Sequence, residues 1–321
     1  MKNKPARMLL AAAAVGCAFT PAAHADGEKI AVFTKNQTNP YFHTIRVASE
    51  TAAKQMKATV IQYVPTKPDN IPEQMSQIED VVTKKPDAIV FIHVDSRAMV
   101  PGVEKINAAG IPVVNSTDRS FGGNFVSFIG GDDLNLSLAT GRYLLKAIGG
   151  KGNVILIEGV RGSNVSAQRV EGYKKALAEF PNVKLLATQP GNFQRLVALQ
   201  VTENLLQSFP QVDGIMAAND AMALGALEAL DGAKRKALVV GLNGDKEAIE
   251  SVKAGRLLAT GDYNTFKVGC IGMMAAIRTV RKLPVPKEYL FPPEVVDKSN
   301  WHGKDLPVEQ RPCPTWEAQF K

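Results

Sequence analysis

This 321-residue chain has amide and ammonium side chains directly after a short apolar run near its start, and these residue types suggest ligand binding. The run 29–34 is apolar enough for a buried strand, and Lys35, Asn36 and Asn39 come after it. Asn39 suits a helix N-cap, and Pro40 suits the first helical position. Amides donate and accept hydrogen bonds at once and an ammonium donates several, so this set can hold the hydroxyl groups of a small ligand.

Two adjacent aromatic residues, Tyr41 and Phe42, fall in the first turn of that predicted helix. An aromatic face can hold the apolar face of a sugar ring. In open α/β sheets, ligands bind at the carboxyl ends of the strands, where this segment would lie. An ordinary strand-to-helix turn with two core aromatics explains the segment equally well, so both interpretations stay open at this point.

The same arrangement recurs along the chain, where further polar or aromatic residues end a predicted strand or open a predicted helix. They are Thr117, Asp118, Arg119, Arg169, Asn192, Phe193, Asn219, Asp220, Asn243, Asp262, Tyr263 and Asn264. Capping or turn formation explains each one alone. Their common position at strand ends favours a shared binding cleft.

Catalytic and metal-binding patterns are absent from the sequence. His43, His93 and His302 lie at none of the spacings typical of zinc ligands, and there is no Gly-x-Ser-x-Gly segment or phosphate-binding glycine loop. The pair Asp132 and Asp133 precedes a helical pattern, which favours a capping role over acid–base chemistry. We therefore expect no catalytic residues, no metal site and no cofactor.

The first 25 residues have the organisation of a secretory signal peptide. A basic start precedes an apolar stretch over 8–19 and the small-x-small site Ala23-His24-Ala25. A lipoprotein anchored at Cys17 is the alternative, but the later small-residue site favours cleavage after Ala25. We predict a soluble exported protein.

The composition of the remainder limits its partners and its architecture. Residues 1–25 carry three basic residues and no acidic ones, so without them the formal net charge falls from +7 to +4. There is no basic cluster, so we expect no nucleic-acid partner. Its length is sufficient for two domains with separate cores. Cys270 and Cys313 favour a disulfide in an exported protein, with two buried thiols as the alternative.

Strand and helix patterns alternate over most of the chain. The strand patterns cover 29–34, 58–63, 88–94, 112–116, 153–158, 183–188, 213–217, 237–242 and 256–260. The helical patterns cover 40–55, 70–84, 97–109, 133–148, 165–179, 194–208, 219–231, 245–254 and 266–281. This alternation predicts an α/β fold with parallel sheets in two similar lobes. The Pro-rich tail from about 285, which carries Trp301 and Trp316, is expected to pack across the lobes.

Six motifs between about 29 and 281 carry a family resemblance. They are Asn39-Pro-Tyr-Phe42, Ile111-Pro-Val with Asp118-Arg119, Arg169-Val-Glu-Gly-Tyr173, Gln189-Pro-Gly-Asn-Phe193, Ala218-Asn-Asp-Ala-Met-Ala-Leu-Gly-Ala226 and Val239-Val-Gly-Leu-Asn243. With them the chain resembles the ribose-binding class of bacterial periplasmic solute-binding proteins, which serve ABC importers, and this implies a periplasmic location. The resemblance implies two doubly wound parallel-sheet lobes joined by a three-stranded hinge. It places 27–131 plus 264–292 in the first lobe and 132–263 plus 293–321 in the second lobe and tail.

The resemblance also implies a ligand site in the cleft. The implied contacts are Lys35, Asn39, Tyr41, Phe42, Asp118, Arg119, Arg169, Phe193, Asn219, Asn243 and Tyr263. The spacing before Asp118 and Arg119 is one residue longer than in the family's ribose binders, so Thr117 and Asp118 are an alternative pair. We add Asp262 as a candidate, because it could pair with Lys35 and offset its charge.

We therefore predict a monomeric, non-enzymatic binding protein that captures a small sugar or polyol by cleft closure and delivers it to the membrane permease of an ABC importer. Lys35 and Asn243 stand where the ribose binders have a small hydroxyl residue and an aspartate, and Tyr263 stands near a family glutamine. These changes make the pocket more positive, so a sugar acid or furanose-like signal molecule is the alternative ligand. The same scaffold could also serve as the core of a transcriptional repressor or as an enzyme. The export signal argues against a repressor, and the lack of a nucleophile–base pair argues against an enzyme.

Overall fold

The structure is a computed structural model that describes residues 27–320. The predicted signal peptide, residues 1–25, lies outside the described residues. The strands are β1 (Lys29–Phe33), β2 (Thr59–Tyr63), β3 (Ala88–Phe91), β4 (Val113–Ser116), β5 (Ser127–Gly131), β6 (Gly152–Glu158), β7 (Val183–Pro190), β8 (Gly214–Ala217), β9 (Leu238–Leu242), β10 (Ala259–Asp262), β11 (Glu288–Phe291) and β12 (Glu294–Val296).

Helices connect most of these strands. They are α1 (Pro40–Gln55), α2 (Ile71–Lys84), α3 (Val100–Ala108), α4 (Asp133–Ala147), α5 (Asn164–Ala178), α6 (Arg195–Ser208), α7 (Asp220–Gly232), α8 (Lys246–Lys253), α9 (Thr265–Val280) and α10 (Trp316–Gln319), with a 3₁₀ turn at Val308–Gln310. Across residues 27–320, none of the helices has both the length and the apolar character needed to cross a bilayer.

The strands form two six-stranded sheets, one in each lobe. Their orders are β11-β5-β4-β3-β1-β2 and β12-β10-β9-β8-β6-β7. All neighbouring strands are parallel except β12, which runs antiparallel to β10. Between β1 and β12 the chain passes from one sheet to the other three times, after β5, after β10 and after β11. The predicted fold class, two doubly wound lobes with a three-stranded hinge, is confirmed.

Side-chain caps fix the starts of the helices that face the cleft. The Asn39 Oδ1 atom accepts a hydrogen bond from the Tyr41 amide at 3.0 Å, with Pro40 in the first helical turn as predicted. The Asn219 Oδ1 atom accepts one from the Met222 amide at 2.9 Å, at the start of α7. These caps satisfy backbone donors that would otherwise be unpaired. They also place polar residues at the carboxyl ends of the strands.

Strands β5, β11 and β12 were not predicted from the sequence. β5 ends in Gly130 and Gly131, which weaken a strand pattern. Gly131 is required by the hinge, because a Cβ atom there would lie 2.3–2.5 Å from the ring of Tyr263. β11 and β12 are only four and three residues long and border prolines, so they have little pattern of their own.

The tail crosses from the second lobe to the first, as expected from its composition. Lys304 lies 3.5 Å from Asp262 in the second lobe. Further on, Cys313 is bonded to Cys270 of α9, and the guanidinium of Arg278 stacks on Trp316. The end of the tail is therefore attached to α9, which packs on the first sheet, and not to the second lobe alone.

Candidate functional site

A cavity lies between the two lobes, at the carboxyl ends of both sheets. Its lining residues are Lys35, Asn36, Asn39, Tyr41, Phe42, Asp69, Thr117, Val165, Arg169, Phe193, Asn219 and Asn243. Eight of these are among the predicted contact residues. Both lobes contribute, so moving the lobes apart would open the cavity.

Aromatic rings form opposite walls of the cavity. Tyr41 and Phe42 belong to the first lobe, with ring centroids 5.3 Å apart and planes at 83°. Phe193 comes from the second lobe, where both it and Asn192 have left-handed backbone conformations, with φ of 56° and 54°. Such conformations cost about 1–3 kcal/mol each for residues other than glycine and are concentrated at ligand sites. Here they bring the Phe193 ring into the cleft.

Arg169 connects several elements of the second lobe at the base of the cavity. Its Nε donates to Asp133 Oδ1 at 2.7 Å. Its Nη1 donates to the Ala218 carbonyl at 2.7 Å and to Asn243 Oδ1 at 3.0 Å, and its Nη2 donates to the Tyr263 hydroxyl at 3.2 Å. Four of its five N–H groups are thereby used within the protein, leaving one for a ligand.

Burial tends to lower the pKa of the Arg169 guanidinium, but the Asp133 carboxylate more than offsets this and raises that pKa. Arg169 therefore remains a cation at every accessible pH. Because the neighbouring carboxylate compensates its charge, this arginine adds hydrogen-bond donors to the cavity without adding net charge.

Hydroxyl groups continue this network across to the first lobe. Tyr263 donates to the Tyr41 hydroxyl at 3.3 Å, and the Tyr41 hydroxyl lies 2.9 Å from Thr117 Oγ1. Burial raises the pKa of Tyr41 to about 12, so it stays protonated. Tyr263 does not line the cavity, but its hydroxyl contacts Arg169 and Tyr41, which do.

Lys35 is paired with Asp118. Its Nζ atom lies 2.7 Å from Asp118 Oδ2, and the carboxylate is fully buried behind the lysine, outside the cavity lining. Burial opposes ionisation, but the charges of Lys35 and His93 hold the pKa of Asp118 at about 2. The expectation that Lys35 pairs with Asp262 is wrong, since Asp262 faces Lys304 in the tail.

The structure does not bring Arg119 to the cavity. Its guanidinium makes an ion pair with Glu288 at 2.6 Å and lies 3.9 Å from the centre of the Phe128 ring. Thr117 takes the lining position instead, with a left-handed φ of 65° that turns the chain at this point. The one-residue-longer spacing before Asp118 and Arg119 had made Thr117 an alternative contact residue in the sequence analysis.

Sequence reasoning missed Asp69 and Val165 as lining residues, whereas Asn36 lies at the cavity beside Lys35 and Asn39 as its position after β1 indicated. Asp69 is half-buried, and its carboxylate makes no hydrogen bond within residues 27–320. Burial raises the pKa of Asp69, while Lys35 lowers it. A signal was present, because Asp69 precedes the N-cap Asn70 of α2 at a strand-to-helix turn like the one that carries Asn36.

Metal binding has no support from this geometry. Within the described part of the chain, no group of three or more His, Cys, Asp or Glu residues is placed to hold a metal ion. The cavity instead combines aromatic faces with amide, hydroxyl and ammonium groups, which suits an uncharged, hydroxyl-bearing molecule.

Fold and site together define a two-lobed binding protein. The periplasmic binding protein domain family matches residues 30–283, and the chain belongs to that family. It is a family of binding proteins, so the prediction that the chain is not an enzyme is confirmed.

Individual relatives match along most of their length. The chain is 30% identical to the ribose import binding protein RbsB of Haemophilus influenzae over 283 residues, covering 86% of this chain and 96% of the relative. It is 31% identical to a D-apiose import binding protein of Paraburkholderia graminis, covering 79% and 82%. A solved ABC transporter periplasmic solute-binding protein of Actinobacillus succinogenes with bound D-allose is 36% identical, with a TM-score of 0.81 and coverage of 85% and 99%.

Proposed function

We propose that this protein captures a neutral small sugar or polyol between its lobes and presents it to the membrane permease of an ABC importer. The observation that carries this proposal is the pairing of aromatic walls from opposite lobes, Tyr41 and Phe42 against Phe193, around a rim of hydrogen-bonding groups. A sugar ring has apolar faces and polar edges, which match these two kinds of surface. The names of the relatives support the same ligand class.

The charges around the cavity favour a neutral ligand over a sugar acid. The positive charge of Lys35 is compensated by Asp118, and that of Arg169 by Asp133. Asp69 then remains as a carboxylate without a hydrogen-bonded partner in residues 27–320. It would accept hydrogen bonds from hydroxyl groups and repel a ligand carboxylate. A sugar acid would need an uncompensated Lys35, which the structure does not have.

A thermal-shift screen tests the ligand class. The panel holds neutral compounds (D-ribose, D-allose, xylitol and myo-inositol) and the acid D-ribonate, with sodium chloride matching the salt of the acid. A ligand at 1,000 times its Kd adds about 4 kcal/mol to the free energy of unfolding, which corresponds to a Tm increase of roughly 8–16 °C. We expect such a shift with at least one neutral compound and none with the acid. A shift caused by the acid alone would contradict the proposal.

The proposed route to the periplasm depends on residues 1–25, with cleavage after Ala25. The basic start, the apolar stretch and the small-residue site support this route, as does membership of a periplasmic family. We further propose that the protein works as a monomer. N-terminal sequencing of protein from the periplasmic fraction should begin at Asp26, and a start at Cys17 with a lipid attached would contradict the proposal.

A further inference from the structure

The Asp118 carboxylate receives hydrogen bonds from both lobes at once. From the first lobe, Lys35 Nζ donates at 2.7 Å and Ser96 Oγ at 3.1 Å. From the second lobe, Ser163 Oγ donates at 2.9 Å and the Val165 amide at 3.2 Å. A carboxylate has about four acceptor positions, and here the protein occupies all of them.

This saturation leaves Asp118 no free acceptor for a ligand. Its side chain is completely buried and lies outside the cavity lining. Of its two partners in the second lobe, Val165 is a lining residue and Ser163 is not. The Ser163 contact can therefore form whether or not a ligand is present. Asp118 is therefore placed to act on the position of the lobes and not on the ligand.

The second-lobe donors belong to the start of helix α5. Ser163 is its N-cap, and Val165 is in its first turn. The Asn164 amide adds a third contact between the lobes, donating to Ser96 Oγ at 3.2 Å. The start of a fifteen-residue helix carries unpaired N–H groups and the positive end of the helix dipole, so a buried carboxylate is stabilised there.

We propose that Asp118 is a positioning residue that fastens the first lobe to the start of α5 when the cleft closes. Part of the free energy of closure then comes from the protein itself. The ligand-free protein accordingly populates the closed form to a measurable extent. The proposal relies on the proposed function only for the opening motion, and its test needs no ligand.

The test measures the distance between the lobes in the ligand-free protein. Spin labels or fluorophores are attached at Lys67→Cys on the first lobe and Glu203→Cys on the second, both exposed positions. Cys270 and Cys313 are bonded to each other and do not react, and the protein is prepared without residues 1–25, which contain Cys17. We expect a closed population in the otherwise unmodified protein and at least a tenfold lower ratio of closed to open molecules after Asp118→Asn.

Another aspartate of the first lobe supplies the matched control. Asp87 also loses a negative charge on substitution by Asn, but the hydrogen bond that its carboxylate accepts comes from the Lys29 amide of the same lobe. Asp87→Asn should leave the distance distribution unchanged. If Asp118→Asn folds poorly, Ser163→Ala removes one donor from the opposite lobe and should shift the distribution in the same direction.

Two outcomes would overturn the proposal. One is an unchanged distance distribution in both Asp118→Asn and Ser163→Ala. The other concerns Asp118→Asn alone. An unchanged distance distribution in this variant, together with a different ranking of the thermal-shift panel compounds, would make Asp118 a ligand contact. A panel in which no sugar binds would contradict the proposed function but not the fastening role, since the closed population is measured without sugar.

Discussion

Gly159→Ala offers a sharp test of the second aromatic wall. The Phe193 ring lies directly over Gly159, and a Cβ atom at this position would be 2.1 Å from Cζ and 2.4 and 2.5 Å from the two Cε atoms. Carbon atoms do not approach so closely, so the ring has to move out of its place in the cavity. The backbone at Gly159 is not left-handed, and alanine should cause no strain of its own.

The expected loss follows from what the ring contributes. A well-placed aromatic contact is worth about 0.5–1.5 kcal/mol beyond the apolar area that it buries, so a total loss of about 1–2 kcal/mol is reasonable. This corresponds to roughly 5- to 30-fold weaker binding. The free energy of unfolding should change by less than about 1 kcal/mol, because Phe193 is only half-buried and lies at the cleft.

Isothermal titration calorimetry with the neutral sugar that gives the largest thermal shift measures this loss. Gly232→Ala is the matched control, because a Cβ there meets no atom within 4 Å. Phe193→Ala should weaken binding by a similar factor, and combining it with Gly159→Ala should add little. Wild-type affinity in Gly159→Ala would refute the role assigned to the ring.

Three further predictions concern stability, each measured as the free energy of unfolding from chemical denaturation. Lys35→Met leaves the buried Asp118 carboxylate without its cation and should cost about 3–5 kcal/mol. The control Lys84→Met, at an exposed ion pair, should cost less than about 1 kcal/mol. A loss below about 1 kcal/mol for both variants would contradict the pairing of Lys35 with Asp118. Replacing Cys270 and Cys313 by serine opens a 43-residue loop and should cost about 4 kcal/mol, and an unchanged mass after reduction would show that no disulfide had formed. The folded protein holds the pKa of Asp118 at about 2, below its unfolded value. Its contribution to the free energy of unfolding, on the order of 2 kcal/mol, should therefore be present above pH 4 and be lost as the pH falls towards 2, and Asp118→Asn should lack this component.

Local chemistry made much of the site predictable. The Asn39–Pro40 start of α1 and the Asn219 cap of α7 follow from residue preferences at helix starts, and parallel strands bring such starts to one edge of a sheet. Asn39, Tyr41, Phe42 and Asn219 consequently lie at the cavity where the sequence placed them.

Pairings over long distances along the chain were not predictable in this way. Lys35 and Asp118 are 83 residues apart, and nothing in either segment distinguishes Asp118 from Asp262 as the partner. The outward direction of Arg119 depends on the left-handed turn at Thr117, which side-chain type alone does not indicate. Asp69 was overlooked because it follows an irregular proline-containing loop and not a strand directly.

A crystal structure of the protein grown with a sugar that stabilises it is the most direct measurement of the central claim. We predict electron density for one neutral sugar or polyol between Phe193 and the Tyr41–Phe42 pair, with hydroxyl groups on Asp69, Lys35 and the remaining N–H of Arg169. An empty cleft with the sugar bound elsewhere, or a ligand carboxylate placed against Lys35, would contradict it.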